Sequence, residues 1–217
     1  MSTDVSHSHP EKGPPRGKLF VIAAPSGAGK TSLVKALLAR RPELRLSVSH
    51  TTRTPRPTEL EGREYFFVPV EEFRQLAAQR AFLEHAQVFD NHYGTGRAPV
   101  EADLASGRSV VLEIDWQGAR QVRASLPQCV SIFILPPSRG ALEKRLRARK
   151  TESDAAIERR LRDAVGDMSH WNEFDYIVVN DDFERALEDL TRIVDSQGEQ
   201  LRADRVALTP LIAELLA

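Results

Sequence analysis

Between positions 24 and 31 the chain reads Ala24-Pro25-Ser26-Gly27-Ala28-Gly29-Lys30-Thr31, with Ser32 next, so small residues, a lysine and hydroxyls share one short turn. Small side chains let consecutive backbone N–H groups converge on phosphate oxygens, and a helix that starts at such a turn adds the positive end of its dipole. The phosphate-loop pattern GxxxxGK[ST] is met at Gly29, Lys30 and Thr31, with Ala24 where the first glycine would stand. Lys30 is suited to reach β- and γ-phosphates as a point charge, and Thr31 to offer its hydroxyl to Mg²⁺. Alanine adopts positive φ only at a cost, so ordinary backbone geometry is expected at Ala24.

A second set of groups suits an anion. Ser49 to Pro57, SHTTRTPRP, sets Arg53 and Arg56 three apart among hydroxyls on a proline-stiffened loop. The planar arginine fork matches phosphate, and a stiff loop lowers the cost of ordering it. On these residues alone, solvated loop arginines are an equal alternative. Glu113 and Asp115 sit two apart at the end of an apolar strand, and therefore on one face of it. A strand-end acid beside a phosphate loop commonly holds Mg²⁺ or its water.

Elements must place these groups. Short apolar runs recur at Lys18 to Ala24, Ser109 to Ile114, Val130 to Leu135 and Tyr176 to Val179. Each is too short for an isolated helix and rich in Val, Ile or Phe, as buried parallel strands are. Helical patterns alternate with them; one opens at Ser153 and keeps Ile157, Leu161, Val165, Met168 and Trp171 on one face. The prediction is an α/β fold, a mainly parallel sheet with helices on both faces. Residues 46–100 change texture, with prolines at 55, 57 and 69 and an aromatic alternation, and are expected to form a small mixed β insert. Residues 138–170 are arginine-dense and helical, and are read as a lid, with a solvated helix pair as the plainer alternative. The first 17 residues are expected to be a disordered tail whose His7 and His9 are solvated, and residues 201–217 an extension of open role.

The composition sets limits. The chain has 217 residues, 30 Lys+Arg against 31 Asp+Glu and a net charge of −1, without the basic excess of a nucleic-acid binder. Apolar residues make up 41%, and the 12 glycines bring the sum into the globular range of roughly 45–50%. No run approaches the roughly 18 apolar residues of a membrane span, and no signal peptide is legible. The single cysteine, Cys129, has no disulfide partner and fits a reducing cytoplasm, where a buried inert thiol is expected.

A phosphate loop alone does not separate kinases from GTPases, motor ATPases or transporters. Here APSGAGKTSL, VSHTTRTPRP, EGREYFF, AFLEHAQVF, NHYGT, IDWQGA, IFILPPS and VNDD occur in one order over about residues 18–197, and in this the chain resembles the guanylate kinase family, its bacterial soluble members most of all. The resemblance implies a P-loop nucleoside monophosphate kinase fold and a reversible, Mg²⁺-dependent transfer of the γ-phosphoryl group of ATP to GMP or dGMP, in purine metabolism. It implies phosphate contacts for GMP at Arg53, Arg56, Tyr65 and Tyr93. Guanine contacts would fall on Ser49, Glu84 and Thr95, with a share for Glu113 and Asp115. Arg145, Arg149 and Arg160 would join Lys30 at the transferring group, and Asn180 would lie near the adenine end of ATP.

Residue chemistry agrees. Guanine presents an acceptor and two neighbouring donors, which a carboxylate beside a hydroxyl complements. Glu84 with Ser49 and Thr95 supplies that pair, and adenine would leave the carboxylate unmatched. Three positions depart from the family pattern: Glu113, where aspartate is usual, leaves its contact open to metal water, guanine or an arginine, while Thr58 and Lys150 stand where glycine is usual. A kinase for AMP, UMP or dTMP and a catalytically silent binding module are the rival readings; the intact Gly29, Lys30 and Thr31 weigh against the second. Homo-oligomerisation is left open.

Overall fold

The computed structural model describes residues 16–88, 90–148 and 154–217. The expected amino-terminal tail with His7 and His9, together with Arg149 and Lys150, lies outside these residues except for the tail's last two positions.

In chain order the elements are β1 (Leu19–Ala23), α1 (Lys30–Arg40), β2 (Arg45–Leu46), β3 (Ser49–Thr51), β4 (Tyr65–Phe67), α2 (Val70–Ala78), β5 (Phe82–Val88), β6 (Asn91–Gly96) and α3 (Arg97–Ala105). They continue with β7 (Val110–Glu113), α4 (Trp116–Ser125), β8 (Val130–Leu135), α5 (Arg139–Arg147), α6 (Asp154–Met168), β9 (Tyr176–Val179), α7 (Phe183–Val194) and α8 (Thr209–Leu216).

One sheet is wholly parallel, in the order β2-β7-β1-β8-β9. The four apolar runs read from sequence form its four inner and distal strands, and the two-residue β2 adds an edge the hydrophobic pattern does not reveal. Side chains alternate across it as the pleat requires. Leu19 and Val21 of β1 and Phe133 of β8 face a core built with α3, α4, the end of α6 and α8. Phe20 and Ile22 of β1 and Ile132 and Ile134 of β8 face the opposite core, with α1 and α7. Burial on both faces explains why these strands are apolar throughout rather than alternating.

Chain order reverses beside β1, which leaves a crevice at the carboxyl ends of β1, β7 and β8; ligands of open α/β sheets bind at such switch points. Residues 24–29 and the Glu113-Asp115 pair emerge there.

The insert is a second sheet, order β4-β3-β6-β5, parallel between β3 and β4 and antiparallel elsewhere. Its edge strand β5 is tied to the main body by Gln121 of α4, whose side-chain amide donates to the His85 carbonyl at 2.8 Å and accepts from the His85 N–H at 3.2 Å. Pairing those otherwise open backbone groups closes the sheet edge and fixes the insert's position. On its far face His50 packs against Phe66 and Phe82, and Phe73 of α2 stacks on Phe82.

The arginine-dense stretch forms α5 and α6, which share a small core of Leu142, Leu146, Ile157 and Ala164. Trp171 does not continue α6 but opens a 3-10 turn, Trp171–Glu173. The carboxyl-terminal stretch is packed: Leu201, Ala203, Leu208, Ile212 and Leu215 are buried, and α8 abuts α6.

Candidate active site

At the end of β1 the chain turns through residues 24–29 directly into α1. Gly29 caps that helix at φ 94°, ψ 14°, a left-handed conformation costly for other residues. A β-carbon there would also collide with the Asn180 side chain. Ala24 is absent from the positive-φ residues, so its backbone is ordinary, as its chemistry predicts. Asn180 is buried, and its amide donates to the Ala28 carbonyl at 2.7 Å. Arg145 of α5 reaches the same place, with Nη2 donating to the Asn180 carbonyl at 2.8 Å. Both residues thus brace the turn from behind rather than line the cleft in front of it.

The cleft over the turn has a volume of about 770 Å³ and is bounded by Ala24 to Gly27, Gly29 to Ser32, Trp116 and the exposed face of α6. A recess of about 200 Å³ opens beside it, lined by Ser49, Tyr65, Glu84, Ala86, Val88 and Tyr93. Lys30, Tyr65, Val88, Glu113 and Asp115 line both, so the two spaces meet at the lysine and the strand-end acids.

Strand register builds the recess. Ser49 pairs with Tyr65, Glu84 with Thr95 and Ala86 with Tyr93, which brings one face of all four strands to the opening. Thr95 donates its hydroxyl to Glu84 Oε1 at 2.6 Å, and Ser49 Oγ is 3.4 Å from Thr95 Oγ1. Glu84 is only 4% exposed, and burial pushes its carboxyl up to about 7, against the opposing effect of the Thr95 hydroxyl. Its other oxygen lies against Gly118 at the start of α4, where a β-carbon would strike it. Tyr65 and Tyr93 meet edge to face, ring centroids 5.9 Å apart. Burial, followed by the Glu113 charge, pushes the Tyr65 hydroxyl up to about 12, so it remains a donor.

Lys30 donates from Nζ to the Ile114 carbonyl at 2.6 Å, between the two acids. Thr31 donates its hydroxyl to Glu113. Asp115 caps α4, accepting from the Gly118 N–H at 2.7 Å, which fixes its carboxylate at the mouth of both spaces.

From the lid, Arg160 donates to the Ser26 hydroxyl at 3.2 Å from Nε and again from Nη2. Arg159 and Arg162, one residue before and two after it in α6, line the cleft together with Asp163 and Asp167. Sequence reading passes over these four; the only signal was their three- and four-residue spacing, common to any solvated helix. The base of α6 is fixed to α4: Trp116 stacks on His170 with centroids 3.5 Å apart and donates from Nε1 to Asp167 at 3.1 Å. Burial pushes Asp167 up to about 6.

The predicted residues therefore assemble unevenly. Ala24, Pro25, Ser26, Gly27, Gly29, Lys30, Thr31, Ser32, Glu113 and Asp115 line the cleft, and Ser49, Tyr65, Glu84 and Tyr93, with Thr95 behind Glu84, form the recess. Ala28 is buried and contributes its carbonyl to the Asn180 brace. Arg53 stands behind the tyrosines, its guanidinium 5.5 Å from the Tyr65 ring centroid, and Arg56 projects outward.

Thr31, Glu113 and Asp115 offer only oxygen ligands, the hard donors that suit Mg²⁺. Among the described residues no group of three or more His, Cys, Asp or Glu side chains could hold a metal by itself.

A phosphate loop at the switch point of a five-stranded parallel sheet, opening onto a carboxylate-lined recess in a mixed β insert and faced by a helical arm, defines a P-loop nucleoside monophosphate kinase. Known proteins narrow the class. The family model described as guanylate kinase matches residues 16–197. The chain is 57% identical to the guanylate kinase of Methylococcus capsulatus over 201 residues, covering 93% of this chain and 98% of that protein. It is 56% identical to the guanylate kinase of Nitrosococcus oceani, over 92% of this chain and 98% of that protein. The crystal structure of guanylate kinase from Anaplasma phagocytophilum superposes with a TM-score of 0.72 at 34% identity, covering 92% of this chain and 95% of that one. The chain belongs to the guanylate kinase family.

Proposed function

We propose that this protein transfers the γ-phosphoryl group of ATP to GMP, giving ADP and GDP, with the cleft holding ATP and the recess holding GMP. The observation that carries the reading is the junction at which Lys30, Glu113 and Asp115 line both spaces, because a phosphorus atom can pass directly only between adjoining seats. Glu84, backed by Thr95 and Ser49, reads the two donors of guanine, and Tyr65 and Tyr93 with Arg53 and Arg56 take the GMP phosphate.

The attacking phosphate oxygen is already anionic, so alignment and charge stabilisation do most of the work. Lys30 leaves the Ile114 carbonyl to follow the γ-phosphate, and the backbone N–H groups of residues 27–31 hold the β-phosphate. Arg160, bonded to Ser26 of the phosphate loop, is the lid arginine placed nearest that loop and would turn toward the transferring group. An arginine in that role contributes roughly 10³–10⁵ in rate in P-loop enzymes. Arg145 acts on the same turn through its grip on Asn180; Arg149, outside the described residues, is assigned to the set by the resemblance alone. Thr31 and Glu113 would hold Mg²⁺, which when bound offsets phosphate charge. Closure of insert and lid over both substrates excludes water, the competing nucleophile.

No helix among the described residues is long and apolar enough to cross a membrane. Cys129 is buried, and burial pushes its thiol up to about 11, out of reach of thiolate chemistry near neutral pH. Both fit an enzyme acting on nucleotides in the cytoplasm.

The test is ADP formation from ATP with and without GMP, and with AMP, UMP or dTMP in its place. The reading expects turnover that requires GMP, with dGMP as the next best acceptor. A GMP-independent rate of similar size would make the protein an ATPase, and a preference for another monophosphate would displace Glu84 from base recognition.

A further inference from the structure

The arginine loop carries its own counter-anion. Glu59 accepts from Arg53 Nη2 at 2.8 Å through Oε1 and from the Arg56 backbone N–H at 2.8 Å through Oε2. Its own N–H donates to the Arg56 carbonyl at 3.0 Å, closing a tight turn. The Arg56 guanidinium stands farther away, 3.8 Å from Oε1. Exposure divides the trio: the Glu59 side chain is 11% exposed and that of Arg53 17%, whereas Arg56 is 72% exposed.

The two arginines are therefore not equivalent. Arg53 directs one nitrogen to Glu59 and donates from Nη1 to the Thr54 carbonyl at 2.8 Å, while its guanidinium lies near the Tyr65 and Phe67 rings. Two of its five N–H donors are thus committed to the protein and hold its orientation. Arg56 keeps an open fork, and the turn from which it projects is pinned at both backbone groups by Glu59.

We propose that Glu59 is a positioning residue for the acceptor phosphate: it holds Arg53 against the tyrosines and fixes the Arg56 turn, so that both guanidinium groups are oriented before the anion arrives, in a seat whose charge is half neutralised. This rests on the reading of the arginine loop as the place of the GMP phosphate. Preorganisation of this kind lowers the ordering cost of binding. A carboxylate that merely filled the seat until phosphate displaced it would contact the exposed fork most closely. Glu59 does the reverse, bonding the buried arginine and the loop's own backbone. The Arg53 hydrogen bond also draws its carboxyl below the usual range, so it stays ionised near neutral pH.

Glutamine at this position keeps the size but replaces one acceptor oxygen with an NH₂ group. Both partners are donors, so one of the two links must break. Steady-state kinetics on the full chain, varying GMP and ATP separately, would compare wild type with Glu59→Gln, Arg56→Ala and the double variant, with guanosine as a competitive inhibitor that lacks the phosphate. Loss of a hydrogen bond to a charged group predicts that Glu59→Gln raises KM for GMP at least about tenfold. KM for ATP and inhibition by guanosine should stay within about twofold, and the double variant should be little worse than Arg56→Ala, since coupled residues are not additive. An unchanged KM for GMP overturns the inference, as does a lowered one, which would make Glu59 a competitor of phosphate. A parallel rise in KM for ATP would reduce its role to general stability and overturn it too. If wild type shows no GMP-dependent turnover, the reading of the site falls and takes the inference with it; normal wild-type turnover with an unmoved Glu59→Gln sinks the inference alone.

Discussion

Thr31, in the first turn of α1, donates its hydroxyl to the carboxylate of Glu113 at the end of the neighbouring strand β7. The extra methylene of glutamate, where an aspartate is usual in this family, lets the strand-end acid reach the phosphate loop itself. Of the contacts open to Glu113 from sequence, the metal side is the one this bond favours, because Thr31 is the hydroxyl proposed above to hold Mg²⁺.

Glu113→Gln should therefore raise the Mg²⁺ concentration needed for half-maximal rate by about tenfold, the effect of losing one charged ligand contact. Excess Mg²⁺ should restore the rate, and KM for GMP should hardly move. Titration of the initial rate with Mg²⁺ at fixed ATP decides it; an unmoved midpoint would leave Glu113 as a hydrogen-bond partner of Thr31 and no more.

How much of this was legible depends on whether a feature is local. The phosphate loop is contiguous, and its residues fall in place. The apolar strands announce themselves because they are buried on both faces. Glu84, Ser49 and Thr95 are dispersed over 46 positions, and only the pairing of β3, β6 and β5 brings them together. Glu59 looks like any loop glutamate until its two bonds are seen. Arg159 and Arg162 are hidden for a different reason: which side of an amphipathic helix faces a cleft is set by packing, here by the Trp116-His170 stack, and not by helical spacing. The bond from the Asn180 amide to the Ala28 carbonyl joins positions 152 residues apart, and sequence spacing gives no sign of it.

Gly118 of α4 lies against the carboxylate of Glu84, the residue proposed to read the base, and a single methyl group there should act as a specificity probe. Gly118→Ala pushes against Glu84 Oε2 in a packed site, which costs about 1–3 kcal/mol. KM for GMP should rise while KM for ATP holds, and the thermal midpoint should fall by a few degrees. Equal changes in both KM values in steady-state assays would show that the strain spreads through α4 instead of staying at the recess.

The carboxyl-terminal helix has a structural task that its sequence does not declare. Leu215 is fully buried in the core shared with α6, so Leu215→Ala should cost roughly 2–5 kcal/mol in chemical denaturation. Because α8 abuts the lid helix, mild truncation of this contact should also speed proteolysis within α6 before global unfolding. Cleavage sites distributed evenly over the chain would argue that α8 supports the fold as a whole.

Glu84 ties acceptor recognition to pH. Its folded pKa, about 7, lies above the ordinary 4.5, so the folded chain holds a proton that the unfolded chain releases in that interval. Stability contributed by this group is thus complete below about pH 4.5 and is lost as pH rises to about 7, because a desolvated charge must then be carried. Guanine reverses the balance, since its two donors satisfy only the ionised form. GMP binding should therefore release a proton below about pH 7, and log KM for GMP should climb by nearly one unit per pH unit as pH falls. The phosphate of GMP titrates near pH 6 and adds its own limb. Glu84→Gln separates the two: the variant should lose roughly 10–100-fold in KM for GMP at pH 8 and keep only the phosphate limb. Its stability should decline less than that of wild type between pH 4.5 and 7, the remainder coming from other raised carboxyls such as Asp167. If the wild-type KM is flat from pH 8 to pH 6.5 while the variant behaves alike, Glu84 is ionised throughout and the buried-carboxylate account of guanine selection is wrong.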